Sequence, residues 1–126
     1  MSEPSEALPD DVLEFAHRLF DAARTGDTAF VISAVEQGAP VDLTTSSGDT
    51  LLMLASYHGH ADLVAMLATH GADVNRPNDR GQTPLAGAVF KRHAETIAVL
   101  LAHGADRDAG TPSARATAEM FGVDLA

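Results

Sequence analysis

The feature of this chain that most constrains its fold is a pattern of small residues that recurs every 33 positions. Gly-Ala pairs begin at Gly38, Gly71 and Gly104, which are spaced by this interval. Single alanines recur at the same interval, at Ala22, Ala55 and Ala88. A fixed period of this length indicates a stack of similar units, each of which buries its apolar face against its neighbours. The sequence therefore predicts a linear array rather than one closed core.

Within each period, apolar residues follow the spacing of two short helices. The predicted helices run from residue 10 or 11 to 26, then over 29–37, 50–58, 62–70, 83–91, 94–103 and 113–122. Thr50 is placed to cap the third helix, and Gly26 and Gly59 let the chain reverse between paired helices. Arg92 stands where these glycines stand in the other units. This position therefore predicts either a non-glycine residue with positive φ or a re-formed turn.

The 33-residue spacing breaks after Gly104. The helix over 113–122 matches the preceding unit if its connection is about three residues shorter, which gives Ala118 and Gly122 the roles of Ala55 and Gly59. An alternative register aligns Thr111-Pro112 with Thr83-Pro84, and we prefer the register fixed by the glycine. In either register this helix is expected to cover the apolar face of the third unit.

Two segments resemble the signature of ankyrin repeats: Thr83-Pro84-Leu85 with Ala88, and Leu100-Leu101-Ala102-His103-Gly104-Ala105-Asp106. The alanine-rich composition and Phe121-Gly122 are most similar to compact bacterial members of that family. The resemblance implies an all-α solenoid of helix-turn-helix units joined by short hairpin-like connections. We expect a flexible acidic tail over 1–9, an N-terminal capping repeat over 10–45, repeats over 46–78 and 79–111, and a truncated C-terminal capping half-repeat over 112–126.

Charge and composition exclude several classes of function. The net charge of -10 argues against an extended nucleic-acid surface, and the lack of cysteine excludes disulfides, a thiolate nucleophile and cysteine-rich zinc sites. No apolar run is long enough to span a bilayer, so no membrane association is expected. Residues 1–6 lack the basic and hydrophobic regions of a secretion signal, which predicts a cytoplasmic protein.

The resemblance also implies where a partner would bind. In ankyrin repeats, target contacts concentrate at the connection tips and at the two residues before the inner-helix glycine. The matching positions are Ser46, Ser47, Asp49, Tyr57 and His58 in the second unit, and Asp79, Arg80, Gln82, Phe90 and Lys91 in the third. Tyr57 and Phe90 are expected to form an aromatic column, preceded by Arg24 and followed by Met120. The alternative is that both rings merely cover the inner surface.

A basic spot is expected beside this column. Residues 76–92 contain four basic residues and one acid, Asp79; the basic residues are Arg76, Arg80, Lys91 and Arg92. This spot suits an acidic or phosphorylated peptide, or it is ordinary solvated surface. Met53 and Ala86 stand where the family usually has a histidine. The customary hydrogen-bond support that this histidine gives between successive connections is therefore expected to be missing.

Catalytic, metal and cofactor sites have little support in the sequence. The serines lack a glycine-flanked elbow with spaced His and Asp partners, and no Gly-rich phosphate loop is present. His70 and His103 share a repeat position, which places them roughly 8–10 Å apart, too far for one zinc ion. We expect a monomeric, non-enzymatic module that binds a partner protein or peptide. Alternatives are a regulatory or scaffold subunit, self-association and, with least support, a small enzyme or metal binder.

Overall fold

A computed structural model describes residues 10–125 and shows an all-α fold. Its helices are α1 (Asp10–Thr25), α2 (Thr28–Glu36), α3 (Leu51–Tyr57), α4 (Ala61–Thr69), α5 (Pro84–Phe90), α6 (Ala94–Ala102) and α7 (Ala114–Phe121). Each predicted helix begins and ends within one residue of these bounds. In the described range, β pairing is limited to two isolated bridges, Thr44–Thr50 and Gly110–Ser113. The predicted tail over 1–9 lies outside the described residues.

The helices form two rows. The inner row contains α1, α3, α5 and α7, each packed on the next, and the outer row contains α2, α4 and α6. Consecutive helices pair across the rows as α1 with α2, α3 with α4, and α5 with α6. The repeated alanines Ala22, Ala55 and Ala88 are all buried, as is Ala118 in α7. Small side chains at these positions let neighbouring inner helices approach closely, as the 33-residue period predicts.

Three hydroxyl caps fix the start of the later inner helices. The side-chain oxygens of Thr50, Thr83 and Ser113 accept hydrogen bonds from the backbone N–H three residues further on, at 3.0, 3.2 and 3.1 Å. Ser113 therefore takes the place of Thr83, so the register fixed by Gly122 is correct and the one based on Thr111-Pro112 is wrong. Gly122 follows α7 in the left-handed conformation, with a φ of 68°.

Two histidines link the inner helices α1 and α3 to the helix pairs that follow them. The ring Nε2 of His60 donates to the carbonyl of Arg24 at 2.6 Å, and Nε2 of His93 donates to the carbonyl of Tyr57 at 3.0 Å. Each ring lies against the glycine that follows the preceding inner helix. A Cβ atom at Gly26 would stand 2.6 Å from the His60 ring, and one at Gly59 would stand 2.7 Å from the His93 ring. These glycines are therefore required for space as well as for their positive φ.

Arg92 is the expected exception. Its φ is +61°, which confirms positive φ at a non-glycine residue. The backbone N–H of Val123 bonds to Ala118 at 2.8 Å, as that of His93 bonds to Ala88 at 2.9 Å, so Val123 holds the place of the linking histidine. The rings of His60 and His93 fill the space beside Gly26 and Gly59. Because Val123 has no such ring, position 92 has room for a side chain. The Arg92 guanidinium donates instead to the carbonyl of Phe121 at 2.6 Å.

Groups other than the family's histidine link the connections. The backbone N–H of Asp79 donates to the carbonyl of Ser47 at 3.0 Å, and that of Thr111 donates to the carbonyl of Gly81 at 2.9 Å. Below the tips, the Asp106 N–H donates to the side-chain oxygen of Asn75 at 2.7 Å. The connections link through backbone groups and short amide side chains, so a histidine after the Pro-Leu pair is not needed.

A further histidine links the outer row. His70, at the end of α4, bonds through Nδ1 to the carbonyl of Met66 at 2.8 Å and through Nε2 to the Glu36 carboxylate at 3.2 Å. Both bonds require a ring N–H, so they raise the pKa of His70, with the Met66 carbonyl as the largest cause. Because the folded pKa is raised, this contribution to stability is present below the ordinary value of 6.5 and is lost as pH rises through the folded value.

Replacement of Leu85 by alanine should strongly destabilise the stack. Leu85 is buried in α5, which packs on both α3 and α7. The cavity left by Leu85→Ala should lower the free energy of unfolding by about 2–5 kcal/mol, out of a typical total of about 5–15 kcal/mol. Urea denaturation measures the loss. Met66→Ala, at an exposed position on α4, is the control and should stay within about 0.5 kcal/mol of the parent.

Two glycine substitutions should separate backbone strain from the ring contact. Gly59 and Gly71 have φ of +79° and +94°, but a Cβ at Gly71 would meet nothing within 4 Å. Gly71→Ala should cost about 1–2 kcal/mol from strain alone. Gly59→Ala should cost about 1 kcal/mol more, because it also displaces the His93 ring from its hydrogen bond.

The excess cost of Gly59→Ala should disappear when the substitution is made together with His93→Ala, since the ring is then absent. Equal losses for Gly59→Ala and Gly71→Ala in the parent protein would contradict the proposed role of the ring.

Candidate functional site

The inner row carries a groove between α5, α7 and the connection tips, which we call the α5–α7 groove. It has a volume of about 370 Å³. The residues that line it come from α3, α5, α7 and two connections: Tyr57, Arg80, Gln82, Ala86, Phe90, Thr111, Pro112, Thr117, Met120 and Phe121. Four of the residues that the sequence analysis assigned to partner binding, Tyr57, Arg80, Gln82 and Phe90, thus share one groove. Met120, the expected continuation of the aromatic column, lies there too.

Tyr57 is a partly buried wall of this groove. Gly87, inside α5, makes room for it, because a Cβ there would lie 3.4 Å from Tyr57 Cδ1 and 2.9 Å from Met53 Cε. The Lys91 ammonium stands 5.2 Å from the centroid of the Tyr57 ring, a cation–π distance. The His58 ring meets the same ring edge-on at 5.5 Å. His58 and Lys91, both predicted site residues, therefore each contact Tyr57.

An exposed apolar cluster forms the opposite wall. Phe90 and Phe121 contact each other edge to face, with ring centroids 5.4 Å apart. Phe90, Met120 and Phe121 keep 46%, 68% and 37% of their surface exposed. Contiguous large apolar side chains on a surface mark interaction sites more often than scattered ones do. Phe121 is not among the predicted site residues, although the register fixed by Gly122 places it opposite Lys91.

A buried asparagine shapes the polar end of the groove. The side-chain oxygen of Asn78 accepts from the backbone N–H groups of Arg80 and Gln82, both at 3.0 Å, while its amide donates to the Asp49 carboxylate at 2.9 Å. These bonds hold the tip that carries Arg80 and Gln82. Asn78 is not among the predicted site residues, although an asparagine before Asp79-Arg80-Gly81 is a common turn signal.

Seven of the predicted site residues do not line the groove: Arg24, Ser46, Ser47, Asp49, His58, Asp79 and Lys91. The Asp49 side chain is engaged with Asn78, and Asp79 bonds through its backbone to the neighbouring connection. Arg24 forms an ion pair with Asp21 at 2.9 Å and lines a separate cavity beside α1 and the connection over 43–46. The column predicted to begin at Arg24 is therefore divided between two cavities.

The basic residues around the groove differ in their contacts. Arg92 donates to the carbonyl of Phe121, Lys91 lies over Tyr57, and Arg80 lines the groove. Burial is the largest cause that lowers the pKa of His58. The charges of neighbouring basic groups lower it further, in decreasing order His60, Arg24, Lys91 and His93. The electrostatic potential on this side of Tyr57 is thus shaped by several basic groups.

Features of other site classes are few. Among residues 10–125, no three His, Asp or Glu side chains converge in a way that could hold a metal ion. None of the helices in that range combines the length and apolar character needed to cross a membrane.

Comparison with known proteins agrees with this architecture. The family model for ankyrin repeats (3 copies) matches residues 19–110. An ankyrin repeat protein of Pseudomonas aeruginosa is 48% identical over 63 residues, which form 50% of this chain and 37% of that protein. The match therefore covers well under half of the relative's length, and it agrees with the resemblance to bacterial members. The two-row helix stack, its capped inner helices and the family match together show that the chain belongs to the ankyrin-repeat family.

Proposed function

We propose that this chain is a non-enzymatic binding module that holds a partner protein or peptide in the α5–α7 groove. Ankyrin repeats are generally protein–protein interaction modules. The observation that supports this particular surface is the contiguous exposure of Phe90, Met120 and Phe121. The face is that of the inner row, which in this family is the concave one.

The chemistry of the groove suits the recognition of a side chain from a partner. Aromatic rings and arginine are the residue types that most often dominate interface energetics. Phe90 and Phe121 offer ring faces and edges, Met120 offers an adaptable apolar surface, and Arg80 with Gln82 offers hydrogen-bond donors at the tip. The volume of about 370 Å³ is large enough for an apolar side chain and part of its backbone.

Within this proposal, the predicted site residues take different roles. Tyr57, Phe90, Arg80 and Gln82 contact the partner. Lys91 acts from above the Tyr57 ring, and His58 acts from its edge-on contact with that ring. Asp49 and Asp79 hold the connection tips in place, and Arg24 serves a second, peripheral contact. We further propose that the protein is cytoplasmic and monomeric and that it needs no cofactor.

Self-association is the second candidate, and one observation favours it. The outer flank of α1 and α2 opens a cavity of about 560 Å³ that is lined mostly by apolar side chains, among them Val12, Phe15 and Phe30. Val12 is 46% exposed, although it belongs to this apolar lining. Such a flank would be covered if two copies met end to end. A scaffold role, in which the module acts through an associated enzyme, uses the same groove as the main proposal.

Truncation of the apolar cluster should abolish partner binding. Affinity capture from an extract of the native host should recover a partner with the parent protein but not with the double variant Phe90→Ala/Met120→Ala. Loss of two anchors of this kind should weaken binding about 30-fold or more, since anchor truncations cost about 2 kcal/mol or more.

Met66→Ala is the matched control, because Met66 is similarly exposed, at 39%, but lies on α4 in the outer row. It should retain the partner. Thermal unfolding of both variants checks that they remain folded. Equal capture by the parent and by the folded double variant would argue against the groove as the binding site.

Static light scattering should give a constant monomer mass as the protein concentration rises. We expect this because the proposed groove needs no second copy of the chain. A mass that increases with concentration, and that returns to the monomer value in Val12→Asp, would favour self-association through the α1–α2 flank instead.

A further inference from the structure

We infer that the partner presents an acidic segment with one large apolar residue, which enters the α5–α7 groove while neighbouring carboxylates meet Arg80 and Lys91. This inference rests on the proposed function and adds the chemistry of the partner to it. It is drawn from the charges around the groove.

The groove is a basic region on an acidic protein. The chain carries a net charge of -10, yet within the described chain the residues lining this groove carry one charge, that of Arg80. Lys91 adds a second positive charge through its position over Tyr57, one of the lining residues. The acids nearest in sequence, Asp79 and Glu119, do not line it. An acidic segment would therefore be attracted here and repelled by most of the remaining surface.

The two groove cations are also available for a carboxylate. Elsewhere in residues 10–125, Arg24 is paired with Asp21 and Arg115 with Asp108, but no ion pair in this range involves Arg80 or Lys91. The cation–π contact leaves the ammonium hydrogens of Lys91 that point away from the ring able to donate. Positions that attract a partner's carboxylates are thus preformed on the free protein.

The electrostatic environment of His58 points the same way. After burial, the causes that lower its pKa are all positive or potentially positive neighbours, including Arg24 and Lys91. Several basic groups therefore lie near the His58 ring, which contacts Tyr57 edge-on.

Single carboxylates fit this arrangement better than a phosphoryl group. Recognition of phosphorylated motifs usually employs clusters of arginine. Arg92 does not line the groove, so its lining contains one guanidinium, that of Arg80, with the Lys91 ammonium over the Tyr57 ring. The apolar wall of Phe90, Met120 and Phe121 lies in the same groove as Arg80. One short segment of a partner could therefore make both the charged and the hydrophobic contacts.

Selection from a library of short random peptides displayed on phage tests this inference on the full chain. Peptides that bind the parent protein but not Phe90→Ala/Met120→Ala should be enriched in Asp and Glu beside an aromatic residue, leucine or methionine. The enriched peptide is then synthesised with a fluorescent label, and its affinity is measured by anisotropy.

Lys91→Gln together with Arg80→Gln should weaken binding of this peptide by roughly tenfold, because each surface charge pair contributes modestly. Arg18→Gln is the matched control, since Arg18 also lies over an aromatic ring, that of Phe15 at 5.7 Å, but on α1. It should leave the affinity unchanged. Raising the salt from about 50 to about 500 mM should weaken binding to the parent more than to the double glutamine variant, because salt screens charge pairs.

The possible failures are distinguishable. Groove-dependent peptides without an acidic bias, or affinities indifferent to Lys91→Gln and Arg80→Gln, would overturn the inference and leave the proposed function standing. If no selected peptide loses binding in Phe90→Ala/Met120→Ala, both the inference and the proposed function are overturned.

Discussion

The structure depends on the side-by-side packing of inner helices across their small residues. Neither member of a helix pair can bury its apolar face alone, so every pair relies on its neighbours. Buried alanines at 22, 55, 88 and 118 mark the same position in four successive inner helices. Hydrogen bonds between connections at one end and from histidine rings at the other tie the same neighbours together. The distance between neighbouring inner helices, which these contacts fix, therefore determines the shape of the inner-row surface.

The α5–α7 groove shows how a regular stack produces a distinctive surface. Three inner helices are each paired with an outer helix, whereas no outer helix follows α7 within residues 10–125. The end of α7 carries Met120 and Phe121 beside Phe90, and the Arg92 guanidinium holds this end through the carbonyl of Phe121. The apolar wall thus arises where the repeat pattern changes, while Asn78 orders the polar end from the preceding connection. The groove therefore offers apolar contacts from the ends of α5 and α7 and polar contacts from the connection that carries Asn78.

Much of the fold could be predicted from the sequence because the period repeats small residues and helix caps at fixed places. The helix bounds and the register of α7 follow from aligning glycines and alanines. The same alignment limits Arg92 to a positive φ or a re-formed turn, and the structure has the positive φ. Contacts between atoms of different units could not be obtained in this way. The bonds of Asn78, the contact of Phe90 with Phe121 and the separation of Arg24 from the groove depend on side-chain directions and on loop geometry. A sequence period identifies equivalent positions in successive units, but it does not identify which atoms the side chains at those positions contact.

The histidine links between units have a consequence for the substitutions that these positions tolerate. His60 and His93 both donate through Nε2 to a backbone carbonyl, and each ring lies against the glycine that follows the preceding inner helix. A replacement at either position must therefore carry a hydrogen-bond donor that reaches this carbonyl across the glycine. An aliphatic side chain of similar size would fill the space but would leave the two units without this bond.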